Sequence, residues 1–457
     1  MHTSDPALTD VVLEHVRRRL AADPAPLGRR GDAHELAAGL DGAIGAEPLG
    51  LDAAMRLYVQ HIEPTIASSR SPRYLAYIPA APTPAATAFD MLVSAFALHG
   101  DGWEDCSGAI AAENQALRVI ADRAGLPAGA GGCFVSGGSA GNLSALVVAR
   151  DSRPPVTRPR IAVTAETHSS VANTLRIIGV EPFLVPVEDH RLTGAALRAA
   201  LLEDEAPETV IAVVATAGTT NAGIIDDLEG IAEVARELGI WFHIDAAYGG
   251  GALFSDRLRP AFAGIEHADA VVIDPHKWLF TPFDCGAVLY RDPAKAAAVH
   301  TQEAEYLGNP NAGEWNPSDY AYHLTRRARG LPLWFSLATY GIDAYGRAVD
   351  AGRALALATA ALIEASDQLE LVREPGLSVV LFRRHGWGQG EYEAWGELLF
   401  ARGLAYVAPT KWEGRPVGRL VFIHPDLTLD VVREILATLE EPTPTVARRG
   451  SLAQVAE

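Results

Sequence analysis

The sequence predicts an α/β protein with three parts. These are a large domain on a mostly parallel, doubly wound sheet, a smaller C-terminal α+β domain, and an N-terminal helical segment. Three observations carry this. Between about residues 85 and 345, short apolar runs alternate with stretches of helical spacing. Residues 210–215 form an unbroken apolar run, as a strand buried on both faces requires. After residue 346 the alternation gives way to fewer strands, set further apart and flanked by helices.

Each element follows from local pattern. Residues 11–22 and 51–66 repeat apolar positions at helical spacing, so residues 1–84 read as a helical segment. Pro79, Pro82 and Pro84 mark a loop that no helix interior tolerates. In the large domain, 85–345, residues 132–135, 161–164, 182–185, 210–215, 240–244 and 270–273 read as strands. A Gly/Ser turn leads from the first of them into a helix over 142–149. In the small domain, 346–440, residues 377–383 and 419–423 read as strands and 429–439 as a helix. Residues 441–457 hold two prolines and few large apolar side chains, and read as a loose tail.

Composition narrows the function. The chain has 457 residues, 49% hydrophobic and 21% charged, enough for two or three globular domains. A net charge of −19 argues against binding nucleic acid or anionic membrane surfaces. Three cysteines, Cys106, Cys133 and Cys285, match no zinc spacing, so no metal site is expected and free thiols in a reducing cytosol are. The first residues lack the basic and apolar regions of a signal peptide, and no apolar run reaches roughly 18 residues. The expectation is a cytoplasmic protein that neither enters nor coats a membrane.

The chemistry concentrates at strand ends. Residues 270–273 run into Asp274-Pro275-His276-Lys277-Trp278, and residues 240–244 run into Asp245-Ala246-Ala247-Tyr248. In open α/β sheets, ligands bind beyond the carboxyl ends of strands. A lysine and a carboxylate at two such ends are what pyridoxal 5′-phosphate needs. The amine bonds to the aldehyde, and the carboxylate keeps the pyridine nitrogen protonated so that the ring accepts electrons. Taken singly, Lys277 could equally be a surface lysine.

Other parts fit the same site. Ser136-Gly137-Gly138-Ser139-Ala140-Gly141 lies between a strand and a helix, where backbone N–H groups and the helix dipole suit a phosphate. The same residues fit the Gly-x-Ser-x-Gly elbow of a serine hydrolase, with Ser139 as nucleophile and Asp245 and His276 following in order. His168, just past a strand, could stack on a pyridine ring or simply start a helix. Thr220, after the 210–215 strand, could bond the cofactor or serve as a turn residue.

Together, residues 134–143, His168-Ser169-Ser170, residues 217–220, residues 243–248 and Pro275-His276-Lys277-Trp278 resemble the group II pyridoxal-phosphate-dependent amino acid decarboxylases. That family holds the aromatic-L-amino-acid, histidine, tyrosine and glutamate enzymes. The resemblance runs from about Ser71 through Arg327 into the small domain. It implies a fold-type I enzyme, usually a homodimer with active sites at the subunit interface. It further implies Lys277 as the cofactor-bearing lysine, Asp245 as partner of the pyridine nitrogen and His168 as the stacking ring. Gly137, Gly138 and Ser139 would hold the phosphate, with Thr220 and His276 beside the cofactor. Asp274 stands where animal members carry Asn. By its spacing from Lys277, Tyr306 matches the mobile-loop tyrosine that returns a proton to the substrate carbon. Arg326 matches an arginine that supports that loop. An ungapped match puts Ile78, Ala80, His99 and Asp101 in the substrate pocket, with Trp103 nearby and Thr325 at a position that affects substrate choice.

The implied reaction is α-decarboxylation of an L-amino acid, aromatic or related, to an amine and carbon dioxide. Aldehyde synthesis on the same fold, a serine hydrolase through Ser139, and a catalytically silent relative remain as alternatives.

Overall fold

The structure is a computed structural model that describes residues 2, 5–302 and 314–441. The chain forms two compact units. The first comprises Met1–Pro79, Leu357–Glu374 and Val380–Glu457, and the second comprises Ala80–Ala356 with Pro375–Val379.

The second unit carries a seven-stranded sheet. Its strands are β1 (Gly131–Val135), β2 (Arg160–Val163), β3 (Glu181–Leu184), β4 (Val210–Thr216), β5 (Trp241–Asp245), β6 (Ala270–Ile273) and β7 (Gly286–Tyr290). Their order across the sheet is β1-β7-β6-β5-β4-β2-β3. Neighbours from β6 to β3 pair in parallel, while β7 runs antiparallel to both β1 and β6. β4, β5 and β6 are buried at every residue, which explains their unbroken apolar sequence. The edge strand β3 is mostly exposed.

Register brings the working ends together. Thr216 at the end of β4 pairs with Asp245 at the end of β5, and Asp245 pairs with Val272 of β6. The helix Gly138–Asp151 starts at this end and packs along the sheet toward the other. A Cβ on Gly141 would lie 2.9 Å from a Val272 methyl, so glycine there lets helix and β6 approach closely. Elsewhere in this unit local signals set helix ends. Thr83, Thr193, Asp227 and Asp292 cap helix starts with their side chains, and Gly179 and Gly239 end helices in the left-handed region.

The first unit holds a four-stranded sheet, ordered β10-β11-β9-β8, of β8 (Leu369–Leu371), β9 (Val379–Arg384), β10 (Thr410–Trp412) and β11 (Arg415–Val421). Its N-terminal part departs from the sequence expectation. Residues 51–66 do not form one helix. An α-helix over Leu51–Leu57 gives way to a π-turn over Tyr58–Ile62 and a 3-10 turn over Glu63–Thr65. Pro64 lacks the N–H that a continuing helix would need.

Candidate active site

The carboxyl ends of β1, β4, β5 and β6 wall a cavity of about 310 Å³ within the second unit. Ser136, Gly137, Gly138 and Ser139 line it, and so do His168, Thr220, Asp245, His276 and Lys277, with Asn142, Ser170 and Asp274 among the other lining residues. Every residue expected to hold the cofactor therefore faces one space.

The phosphate end is open backbone. The helix Gly138–Asp151 begins at Gly137 with no side-chain cap, unlike the capped helices around it. A Cβ on Gly138 would sit 3.1 Å from Asp274 Oδ2 and from the Ala247 Cβ, so a side chain there would crowd the cradle. Uncapped N–H groups at a helix start, in a glycine-lined recess, fit a phosphate. Ser139 is exposed on the first turn. Ser139→Ala should weaken cofactor binding by no more than about tenfold and leave turnover at saturating cofactor nearly intact. One neutral side-chain hydrogen bond is worth about 0.5–1.5 kcal/mol. A titration of activity against added cofactor measures this.

Asp245 is buried, and each of its oxygens is engaged. The Ala247 N–H donates to Oδ1 at 3.1 Å, and Asn142 Nδ2 donates to Oδ2 at 2.9 Å. Asn142 is oriented in turn by His243, whose Nε2 lies 2.9 Å from Asn142 Oδ1. Burial pushes the His243 imidazole down to about 4, against the opposing pull of the Asp245 charge, so it stays neutral and Nε2 carries the proton. Asn142 Nδ2 also donates to Ser170 Oγ at 3.1 Å, and that hydroxyl lies 2.8 Å from His168 Nδ1. The Ser170 N–H donates to the same nitrogen at 3.2 Å. One amide thus orients both the carboxylate and the ring. His168 caps the helix Ser169–Ile178, as one expectation had it, and its exposed ring lines the cavity.

Lys277 Nζ lies 3.0 Å from Asp274 Oδ2, and His276 Nε2 lies 3.6 Å from the same oxygen. His276 Nδ1 accepts the Cys285 N–H at 3.0 Å. Burial lowers the His276 pKa, with Asp274 opposing. Asp274, only 3% exposed, is paired through Oδ2, while its buried Oδ1 has no hydrogen-bond partner among the described residues. No hydrolase triad is assembled, because His276 and Asp245 are committed to these partners.

Ala80, His99, Asp101, Trp103 and Thr325 do not line the cavity, and Ile78 belongs to the other unit. His99 Nδ1 is 2.6 Å from Asp101 Oδ1, and the Trp103 N–H donates to Asn316 Oδ1 at 3.0 Å. Ala80 is buried and Thr325 exposed. The Arg326 guanidinium is buried against Glu113, which also accepts the Gly330 N–H at 2.7 Å. Tyr306 lies outside the described residues.

Sequence reasoning missed Asn142, Ser170 and His243 as parts of the site. His243 carried a signal. It stands two residues before Asp245 on one strand, so their side chains share a face. Asn142 and Ser170 stand within the motifs that carry the resemblance, but their roles arise from the packing of two helix starts against β5.

The sheet, the uncapped helix start, and the lysine and carboxylate at neighbouring strand ends are those of a fold-type I pyridoxal phosphate enzyme. The family described as pyridoxal-dependent decarboxylase conserved domain matches residues 34–385. An aromatic-L-amino-acid decarboxylase of Bacillus atrophaeus is 30% identical over 386 residues, 81% of this chain and 80% of that protein. An L-2,4-diaminobutyrate decarboxylase of Rhizobium meliloti (strain 1021) is 35% identical over 372 residues, 78% of this chain and 74% of the relative. The solved structure of Oryza sativa TDC with PLP and tryptamine superposes with a TM-score of 0.87 at 26% identity, covering 96% of this chain and 98% of that one. The chain belongs to the pyridoxal-dependent decarboxylase family and is a pyridoxal-phosphate-dependent carboxy-lyase.

Proposed function

We propose that this enzyme removes the α-carboxylate of an L-amino acid, aromatic or related, releasing the amine and carbon dioxide. The observation that carries the reading is the convergence of Lys277, Asp245 and His168 on one cavity below an uncapped helix start. Bound pyridoxal phosphate supplies an electron-accepting ring for the electrons of a breaking Cα–carboxylate bond. The chain's residues do the rest. The Gly138 and Ser139 N–H groups would hold the phosphate end, and the Asp245 carboxylate would pair with a protonated ring nitrogen. His168 would offer its ring to the cofactor, and Lys277 would supply the amine that bonds to its aldehyde. Asp274 Oδ2 pairs with that amine at 3.0 Å. Electrostatic preorganisation of this kind contributes more to rate than binding alone.

The aromatic class rests on the Bacillus relative and on the tryptamine in the rice structure. Incubating the holoenzyme with each L-amino acid, dihydroxyphenylalanine and diaminobutyrate, and measuring carbon dioxide and amine, tests it. Highest kcat/KM on an aromatic substrate is expected. Release from diaminobutyrate alone would overturn the substrate class. Release from none would overturn the reaction. Among the described residues no helix is long and apolar enough to cross a membrane. A cytoplasmic homodimer with sites at the subunit interface completes the proposal, and sedimentation at micromolar concentration checks the dimer.

Tyr306 is proposed as the acid that returns a proton to Cα. Tyr306→Phe keeps the ring, so substrate binding should change less than amine formation. Products should shift from amine toward aldehyde, ammonia and peroxide under air. An exposed tyrosine with no role predicts an effect within about 0.5 kcal/mol. An unchanged amine yield per carbon dioxide, under air and under nitrogen, would exclude Tyr306.

A further inference from the structure

The strands that end in the active site begin at a second recess. It lies at the opposite end of β5 and β6 and has a volume of about 580 Å³. β5 starts with Trp241 here and ends with Asp245 at the cofactor cavity. At about 3.3 Å per residue, the two ends of that strand are roughly 13 Å apart, and the two recesses share no lining residue.

The charge of this recess opposes that of the chain. The protein carries 38 Lys and Arg against 57 Asp and Glu. Yet Arg153, Arg236, Arg291 and Lys295 wall the recess, with Asp269 as the acid among its lining residues. Asp269 is already engaged, since Oδ2 accepts the Phe242 N–H at 2.9 Å. Two of the cations are held in place by backbone. Arg153 Nη1 donates to the Ile211 carbonyl at 2.7 Å, and Arg291 Nη1 donates to the Glu266 carbonyl at 2.5 Å. Lys295 Nζ sits 5.6 Å from the Trp241 ring centroid.

Two buried donors in the wall are unmet. Trp241 is only 7% exposed, and among the described residues its Nε1 has no hydrogen-bond partner. Arg153 Nε is likewise buried without one. A buried N–H left unpaired costs about 1–3 kcal/mol and marks a place where an acceptor is missing. Four cations and two unmet donors face a single carboxylate, Asp269, whose charge acts on Lys295 and Arg291, and the excess asks for an anion with several acceptor oxygens.

We propose that this recess is a second binding site, for a small multivalent oxyanion such as a phosphate ester or a polycarboxylate, distinct from the phosphate cradle of the cofactor. Arg153 and Arg291 supply fixed donors. Arg236 and Lys295 close over the ligand from the rim, and the Trp241 N–H takes an oxygen when Lys295 moves from the ring to the ligand.

Isothermal titration of the cofactor-saturated enzyme tests this, because the cradle is then filled. Pyrophosphate and citrate are titrated separately, with ionic strength held constant by sodium chloride. At least one should bind saturably at one site per chain, with Kd below about 1 mM. Which of the two binds tighter distinguishes a phosphate ligand from a carboxylate ligand. Arg236→Ala/Lys295→Ala removes two exposed side chains and should weaken binding at least tenfold at unchanged cofactor content. Trp241→Phe keeps the ring, removes the N–H, and should weaken it at least threefold. Linear, unsaturated heats for both anions up to 10 mM, or equal affinity in the double variant, overturn the proposal.

Discussion

Replacing Lys277 with Ala should abolish covalent cofactor attachment and lower turnover by more than about 10⁴-fold, a barrier increase above roughly 5 kcal/mol. No other amine takes its place at the cavity, because Lys277 is the lysine among the cavity-lining residues. The same substitution has a second consequence. It leaves the Asp274 carboxylate, 3.0 Å from the amine and almost fully buried, without its main partner. Removing one member of a buried pair costs about 3–5 kcal/mol when the other stays charged. His276, 3.6 Å away, offsets part of that. The single variant should therefore fold with reduced stability, and Lys277→Ala/Asp274→Asn should recover much of the loss while remaining inactive. Borohydride reduction of the wild-type holoenzyme, followed by peptide mapping, locates the modified lysine, and thermal melts of the two variants separate attachment from folding. A label on any other lysine would refute the assignment.

The strands and the candidate site residues at their ends were legible for one reason. β4, β5 and β6 are buried on both faces, so their sequences are nearly pure apolar runs, and Asp245 and Lys277 stand out where the runs stop. β7 was not legible. Its residues are just as buried, but it enters the sheet between β1 and β6 and runs antiparallel to both, a pairing that no local pattern encodes. The helices Pro84–Ala95 and Trp103–Arg123 were also missed. Ala-rich stretches with short polar side chains carry a weak apolar period, and the second helix is kinked at Cys106. Within the site, residues at strand ends and in the glycine turn were readable by residue type and position. Asn142 and Ser170 line the cavity too but were not, because Asn142 matters only once its helix start has been packed against His243 and Asp245. His99, Asp101 and Trp103 lie where the helix Trp103–Arg123 begins and do not line this cavity.

Asp245→Asn should lower turnover by about 10²–10⁴, roughly 2.7–5.4 kcal/mol of transition-state stabilisation, while cofactor content falls far less. The carboxylate meets two donors that have nothing else to offer it. Ala247 presents a backbone N–H, and Asn142 presents its amide NH₂. Asn142 cannot turn over to present its oxygen, because that oxygen is held by the Nε2–H of a neutral, buried His243. The position therefore demands an acceptor on both oxygens. An asparagine there must point its own NH₂ at one of the two donors, leaving an unpaired group worth about 1–3 kcal/mol of stability. It also removes the negative charge that faces the cavity. The two losses separate experimentally. Asn142→Ala removes one donor and keeps the charge, so it should lower stability with a smaller fall in turnover. Asp245→Asn should lose more rate than its loss of stability accounts for. Single-turnover rates at saturating cofactor, measured alongside melting temperatures for both variants, decide the matter. A rate for Asp245→Asn within about threefold of wild type, less than roughly 1 kcal/mol, would mean that this carboxylate holds the site together and takes no part in the chemistry.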